Sequence, residues 1–527
     1  MVVAGLSLRE DYWEDFELQE DDLEFLYAHL LEVEAPQTPQ ELIAALVEDR
    51  LRREMQAIEE RRLAGASVYL PRELYEVGQK LAIPALDWRL GEVVAVRPGY
   101  NPELGDFSVI RVRFEDNGEE REFAAGLSEH RLNDPEAIQT GDAPQAQEVL
   151  ARYQDLLVQR LEQGLEENPD FVRIAGRWFP RALLVDVNVG HLNLAEAVLD
   201  LAGGGPLPTD ELLKQVELPT TENLNLVRFS LDLALQEDPR FDEVGPAGKV
   251  LWYLKRLEPE GVLETPLPLR YHEIEYDRSL LTEEMLALER RLDDELSPYS
   301  ESAPVTPEGV EITLLYPHWR VGALPLSPRL KPYFPTAYEA PRIRFELVDG
   351  ETGERFPGWV VRQEKYVFGL EKWYRERELM PGSLVTVRSG ENPGEVIVWV
   401  DTRRARRDWV RTVLVGADGG IVFANLKQVV TAAYDERMAI MVPDMQALDA
   451  VWEARAKKAV PFERVVADMA RELTKLNPQN HVHVSELYAA VNLVYRCPPG
   501  PIMALLAERP WFVHVGDLHF RFDDSAR

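Results

Sequence analysis

"EDPRFDEVGPAGKVLW", residues 237–252, sets an acidic residue two places before Pro239, Phe241 two places after that proline, and then apolar residues alternating with others around glycines. Proline lacks a backbone N–H and pushes the preceding residue out of helical geometry, so a helix must stop here. The alternation that follows has the period of a strand, and the glycines between its halves allow a tight turn. "ENPDFVRIAGRWF" (167–179) and "ERPWFVHVGDLHF" (508–520) repeat the same phrase, each after a helical stretch. Three helices that end in hairpins are predicted.

Working outward from the second copy, "NLAEAVLDLAGGGPLPTDELLKQV" reads as a helix, a glycine-rich turn and a second helix opened by Thr209, and "NLNLVRFSLDLALQ" supplies a third. Three helices and a terminal hairpin make a winged helix. Through Ala195, Val198, Leu199, Gly205, Leu207, Leu212 and the "RFDEVG" wing, residues 190–256 resemble the HARE-type winged helix, also found in the delta subunit of bacterial RNA polymerase and in some restriction endonucleases and chromatin regulators. Residues 461–523 look like another copy. The first phrase shows only a last helix and a wing (146–187); its earlier helices would be the 22–63 segment, with a barrel inserted between. Within 22–63, Thr38, Pro39 and Glu41 read as a capping box.

A length of 527 residues exceeds what one hydrophobic core organises, so several domains are expected. With 45% hydrophobic residues most of the chain should fold. One cysteine, Cys497, allows neither an internal disulfide nor a cysteine-rich zinc site, which suits a reducing cytoplasm. The opening "MVVAGLSLREDYWEDFELQ" lacks the basic start of an export signal, and no run of eighteen apolar residues occurs, so no membrane partner is expected. A net charge of −34 repels nucleic acid at large; any such binding must be local. Residues 10–24, "EDYWEDFELQEDDLE", carry nine carboxylates, no cation and three aromatics, and read as a solvated tail or an interaction segment. Residues 88–134 alternate like half-buried strands between turn signals and predict a small barrel or meander of about five strands.

The exception to the acidity lies between Glu311 and Arg411, where 17 Lys and Arg face 14 Asp and Glu. Binary pattern predicts strands at "EITLL" and "ALPLS", a hairpin over "RIRFELVDGETGERFPGWVVR", a strand at "KYVFG", a helix at "LEKWYRERE" and a closing hairpin at "SLVTVRSGENPGEVIVWV". This order, and above all "GLEKWYRERELMPGSLVTV", resembles the DNA-binding pseudobarrel of plant transcription factors of the auxin-response type, which is shared by recognition domains of some restriction endonucleases. In that family two loop arms grip the major groove. By position the resemblance implies a first arm with His318, Trp319 and Arg320 and a second with Arg362, Gln363 and Lys365, residue types suited to base edges and phosphates. Arg403, Arg404, Arg406 and Arg407 in "TRRARRDWVR" follow the last barrel strand and would extend the grip along phosphates, or else form a solvated helix start or pair with acidic neighbours.

No P-loop, GxSxG, HExxH or paired CxxC occurs, and "GGGP" (203–206) has no strand before it, so neither catalysis nor a cofactor is expected. His481, His483, His514 and His519 read as ordinary strand histidines rather than a metal site.

The expected fold is multi-domain α+β: winged-helix modules combined with a small SH3-like β-barrel and a DNA-binding pseudobarrel. Its boundaries are an acidic tail at 1–24, a helical region at 25–80, the small barrel at 81–135, helix plus wing at 145–187, a HARE-like winged helix at 190–260, the pseudobarrel with its basic extension at 308–411, a connecting region at 412–455 and a C-terminal winged helix at 456–527. The expected function is non-catalytic binding of duplex DNA by the 311–411 barrel, with acidic winged helices docking onto protein such as RNA polymerase or another transcription protein. The rivals are an interaction scaffold without DNA binding and the recognition subunit of a nuclease.

Overall fold

The computed structural model describes residues 12–63, 66–86, 89–100, 107–128, 130–133, 146–216, 218, 223–299, 304–390, 392, 394–458 and 460–523. The chain divides into two compact units, Met1–Leu184 and Val185–Arg527, and is mixed α+β in both.

In the first unit, helices Glu20–Val33, Pro39–Leu63 and Ala146–Glu166 lead to the hairpin Phe171–Ile174 and Arg177–Pro180. Thr38 caps the second helix: its backbone N–H donates to the Glu41 carboxylate (2.7 Å) while its hydroxyl accepts from the Glu41 N–H (3.3 Å). Gln37 bridges to Trp178 in the hairpin, whose N–H donates to the Gln37 carbonyl at 2.8 Å. Between the second and third helices a sheet is inserted, with Ser67–Val68, Lys80–Ile83, Arg89–Pro98, Ser108–Phe114 and Glu120–Ala125 as neighbours in chain order. It begins earlier than the expected 81, because the Ser67–Val68 strand adds in parallel to Lys80–Ile83.

The solvated tail expected at 1–24 does not hold over its described part, 12–24. Trp13 and Phe16 are 5% and 1% exposed, and the Arg50 guanidinium lies 4.3 Å from the centre of the Phe16 ring. Arg50 also donates to the Glu17 carbonyl (2.6 Å) and to the buried Asp22 carboxylate. The two rings supply apolar area worth burying, and Arg50 with Arg53 answers the acidic charge. Residues 1–11 lie outside the described part.

In the second unit the same succession of elements appears twice. Helices Val189–Leu201, Thr209–Leu213 and Leu224–Glu237 precede strands Phe241–Glu243 and Leu251–Leu254; helices Phe462–Thr474, Val484–Val491 and Pro499–Glu508 precede Phe512–Gly516 and His519–Phe522. In each, a short strand before the second helix pairs with the second hairpin strand, Leu207 with Trp252 and Val482 with Phe520, as Gln37 does with Trp178 in the first unit. The recurring phrase is thus the local cause of a recurring architecture: its helix stops two or three residues before the proline and its phenylalanine (Phe171, Phe241, Phe512) is buried under the helices. Trp252 fills the centre of one copy, and its indole N–H donates to Asp232 at 2.9 Å.

Between these copies a seven-stranded sheet curls into a half-barrel in the order Val310–Thr313, Leu384–Ser389, Glu395–Trp399, Arg342–Asp349, Arg355–Val361, Tyr366–Phe368, Ala323–Pro325. All neighbours are antiparallel except Arg342–Asp349 with Glu395–Trp399. Helix Glu371–Glu376 is held by Trp373, whose indole donates to Asp349 at 2.7 Å. The Pro381-Gly382 turn needs glycine: φ is +95° and a Cβ would lie 2.4 Å from the Ala439 Cα.

The basic extension and the first part of the expected connecting region are one element. Strands Thr402–Val415 and Ile421–Ala432 form a long antiparallel ribbon, so the boundary placed at 411 falls inside a strand. The helix-start reading of the arginines fails with it.

A candidate nucleic-acid interface on the ribbon

Strand alternation sorts the ribbon into two faces. Arg407, Trp409, Arg411 and Val413 lie opposite Val429, Lys427, Asn425 and Phe423 on one face; Val410 and Thr412 lie opposite Leu426 and Ala424 on the other. At the turn end the first face is buried, with Val413, Ile421 and Phe423 in the core formed with the C-terminal helices. At the base the second face is buried, with Val410 and Val430 against Met380 and Ala439. Two-stranded ribbons twist strongly, and here the twist exchanges which face meets solvent. The base of the first face is therefore open: Arg407, Lys427 and Val429 are exposed and Trp409 is 63% exposed.

A bulge adjoins this surface. Thr402 pairs with Ala432 and Arg406 with Val430, so residues 403–405 stand opposite Thr431 alone, and Arg404 is carried outward. Among the described residues neither Arg404, Arg407 nor Lys427 has a carboxylate partner; Lys427 instead places its Nζ 5.3 Å from the centre of the Trp409 ring. Arg406 pairs with Asp408 at 3.0 Å. The Tyr434 hydroxyl and the Trp409 N–H donate to Asp408 and, with Arg406, hold its carboxyl below the ordinary range. By contrast, Arg355, Lys372, Arg375 and Arg377 of the half-barrel each face carboxylates. From 402 to 432 the chain carries six cations and two carboxylates.

The arm residues expected from the resemblance are not gathered with these arginines. "YPHWRV" is a helix, Tyr316–Val321, and not a loop; Pro317 suits its first turn and Gly322 ends it at φ +70°. His318 is 2% exposed and its Nε2 lies 3.0 Å from Glu295; the Trp319 indole donates to the Leu379 carbonyl (2.7 Å); Arg320 grips Asp449 through two bonds of 2.9 and 2.6 Å. All three are already partnered and His318 is buried, which removes this first arm from the interface. On the second, Arg362 donates to the Ala340 carbonyl (2.8 Å) and Lys365 to the Glu295 carbonyl (3.3 Å), while Gln363, of the three expected residues, is exposed without such a bond and has the exposed carboxylate Glu364 beside it.

Glu295 belongs to a buried ionic cluster with no counterpart in the sequence reading. Arg496, fully buried, donates to both Asp294 oxygens at 2.8 Å and to Glu295 at 2.6 Å. Burial by itself would raise the Glu295 carboxyl; Arg496 and His318 reverse this and hold it far below the ordinary range. In the C-terminal copy, the rings of His481 and His483 meet His519 edge-on at 4.6 and 4.9 Å, while His514 packs on Phe520. No group of three or more His, Cys, Asp or Glu among the described residues is arranged to hold a metal ion. No helix among them is long and apolar enough to cross a membrane.

Trp409, Lys427 and Val429 were missed in the sequence because the strand that pairs with the arginines begins ten residues beyond the basic run; only the alternation in "IVFANLKQVVTA" hinted at it. No family model, curated protein or solved structure matches the chain.

Proposed function

We propose that the protein is a non-catalytic nucleic-acid-binding protein that grips backbone phosphates through the base of the 402–432 ribbon. One observation carries this: in a chain of net charge −34, Arg407 and Lys427 lie on one exposed face and Arg404 is exposed on the adjoining bulge, with no carboxylate among the described residues to answer them. Cations so placed attract phosphate locally and release its counterions, while the surrounding acidity disfavours contact elsewhere. The half-barrel supports the site by anchoring the ribbon's base: the Ala433 N–H donates to the Asp401 carbonyl (3.0 Å) and the Leu384 N–H to the Ala433 carbonyl (2.9 Å).

The winged-helix-like copies of the second unit fit protein docking better than groove reading. A recognition helix must present one face to DNA, yet Leu224–Glu237 is buried around most of its circumference and its Arg228 pairs with Asp210 at 2.7 Å. Pro499–Glu508 is buried from Pro499 to Leu506. Arg240 in the wing phrase is taken up by Asp238 and Glu196, both at 2.7 Å. Titration of the full chain with labelled duplex DNA at two salt concentrations, with and without the three free cations, tests the proposal; binding indifferent to salt and to those side chains rejects it.

A further inference from the structure

Resting on that reading, we propose that the ribbon's ligand is a single strand of nucleic acid, one base of which stacks on Trp409. Among the described residues Trp409 is the one tryptophan left largely exposed; the others are buried or half-buried, as an apolar ring of that size ordinarily is. It is not loosely held. Its backbone lies within a continuous register from Arg406 to Val415, so the ring is presented on a rigid strand. Arg407 lies two residues away on the same face, about 7 Å along the strand. Lys427 is its direct cross-strand partner, and Val429 its diagonal apolar neighbour.

A flat aromatic face flanked by cations matches a base flanked by phosphates. In a duplex the bases are already stacked on each other and offer only their edges, so the face of the indole ring has nothing to stack on. A single strand offers base faces, and every base has one, so recognition would be tolerant of sequence. The base takes the ring face over which Lys427 now lies, 5.3 Å from its centre, and the lysine turns to the adjoining phosphate. Arg404, on the bulge, and Arg407 continue the phosphate track along the strand.

The test is fluorescence anisotropy of the full-length protein with a labelled twelve-nucleotide thymidine strand and a labelled twenty-base-pair duplex, each at 50 and 200 mM salt. The variants are Trp409→Ala, Trp409→Phe and Arg404→Ala/Arg407→Ala/Lys427→Ala. The single strand should bind tighter than the duplex. Trp409→Ala should weaken it about 5- to 150-fold with its salt dependence unchanged, and Trp409→Phe should restore most of the loss. The triple variant should flatten the salt dependence for both ligands. Duplex bound at least as tightly as the single strand, with Trp409→Ala affecting neither, overturns the stacking inference and leaves the ribbon reading standing. Absence of binding to either ligand at 50 mM salt overturns both.

Discussion

Replacing Arg404, Arg407 and Lys427 by alanine together is the perturbation that bears most directly on the ribbon. Each side chain is exposed and without an ionic partner among the described residues, so the substitutions should change stability by no more than about 0.5 kcal/mol apiece. Their effect on binding should be large. If each neutralises one phosphate, the slope of log K against log salt for duplex DNA is about −2.7, or a roughly 40-fold loss of affinity between 50 and 200 mM salt. Each single alanine variant should make the slope shallower by about 1, and the triple variant should bring it close to zero. Arg406 should matter less, because Asp408 already answers it at 3.0 Å. Anisotropy titrations at four or five salt concentrations measure the slopes, and a thermal melt of each variant shows that the fold is intact. A steep slope that survives the triple substitution would place the phosphate contacts elsewhere and refute the reasoning.

The remaining expectations concern the scaffold. Arg496→Met strands Asp294 and Glu295 as buried carboxylates and should cost about 3–5 kcal/mol in chemical denaturation, far more than loss of an exposed ion pair such as Arg375 with Glu371. Burial pushes the Glu243 carboxyl up to about 8, against two backbone N–H donors, Gly245 and Leu251, that pull it down. The native state therefore holds a proton that the unfolded chain has released between about pH 4.5 and 8, so this group's contribution is full below that window and is lost as pH rises through it. Glu243→Gln should flatten the fall of the melting temperature over that range, and a fall identical to wild type would remove Glu243 as its source. Trp13→Ala with Phe16→Ala should release the acidic segment and make residues 12–24 a site of rapid proteolysis; resistance equal to wild type would show that the rings do not anchor it.

Local signals in this chain were legible wherever the physics is local. Proline after an acidic helix end stops a helix whatever the surroundings, so the three phrases marked three hairpins correctly. Thr38 with Glu41 opened its helix as expected, and the strand and helix order between Glu311 and Val400 emerged almost element by element. The failures share a cause. "YPHWRV" has no loop signal of its own apart from Pro317, which also suits a first helical turn, and its identification as an arm rested on position within a resemblance. Charge alone makes the acidic block look solvated, while the decisive contact comes from Arg50, some 34 residues downstream of Phe16.

Sequence alone therefore determined where helices end, which segments alternate as strands, and that positive charge gathers near residue 405, because each depends on neighbours in the chain. Only the tertiary structure decided which of those cations remain free. Pairing Thr402–Val415 with Ile421–Ala432, burying opposite faces of the two ends, and drawing Arg320 to Asp449 across 129 residues are all settled by packing. A guanidinium's role follows from the carboxylates that can reach it, and that distance is set in space by the fold.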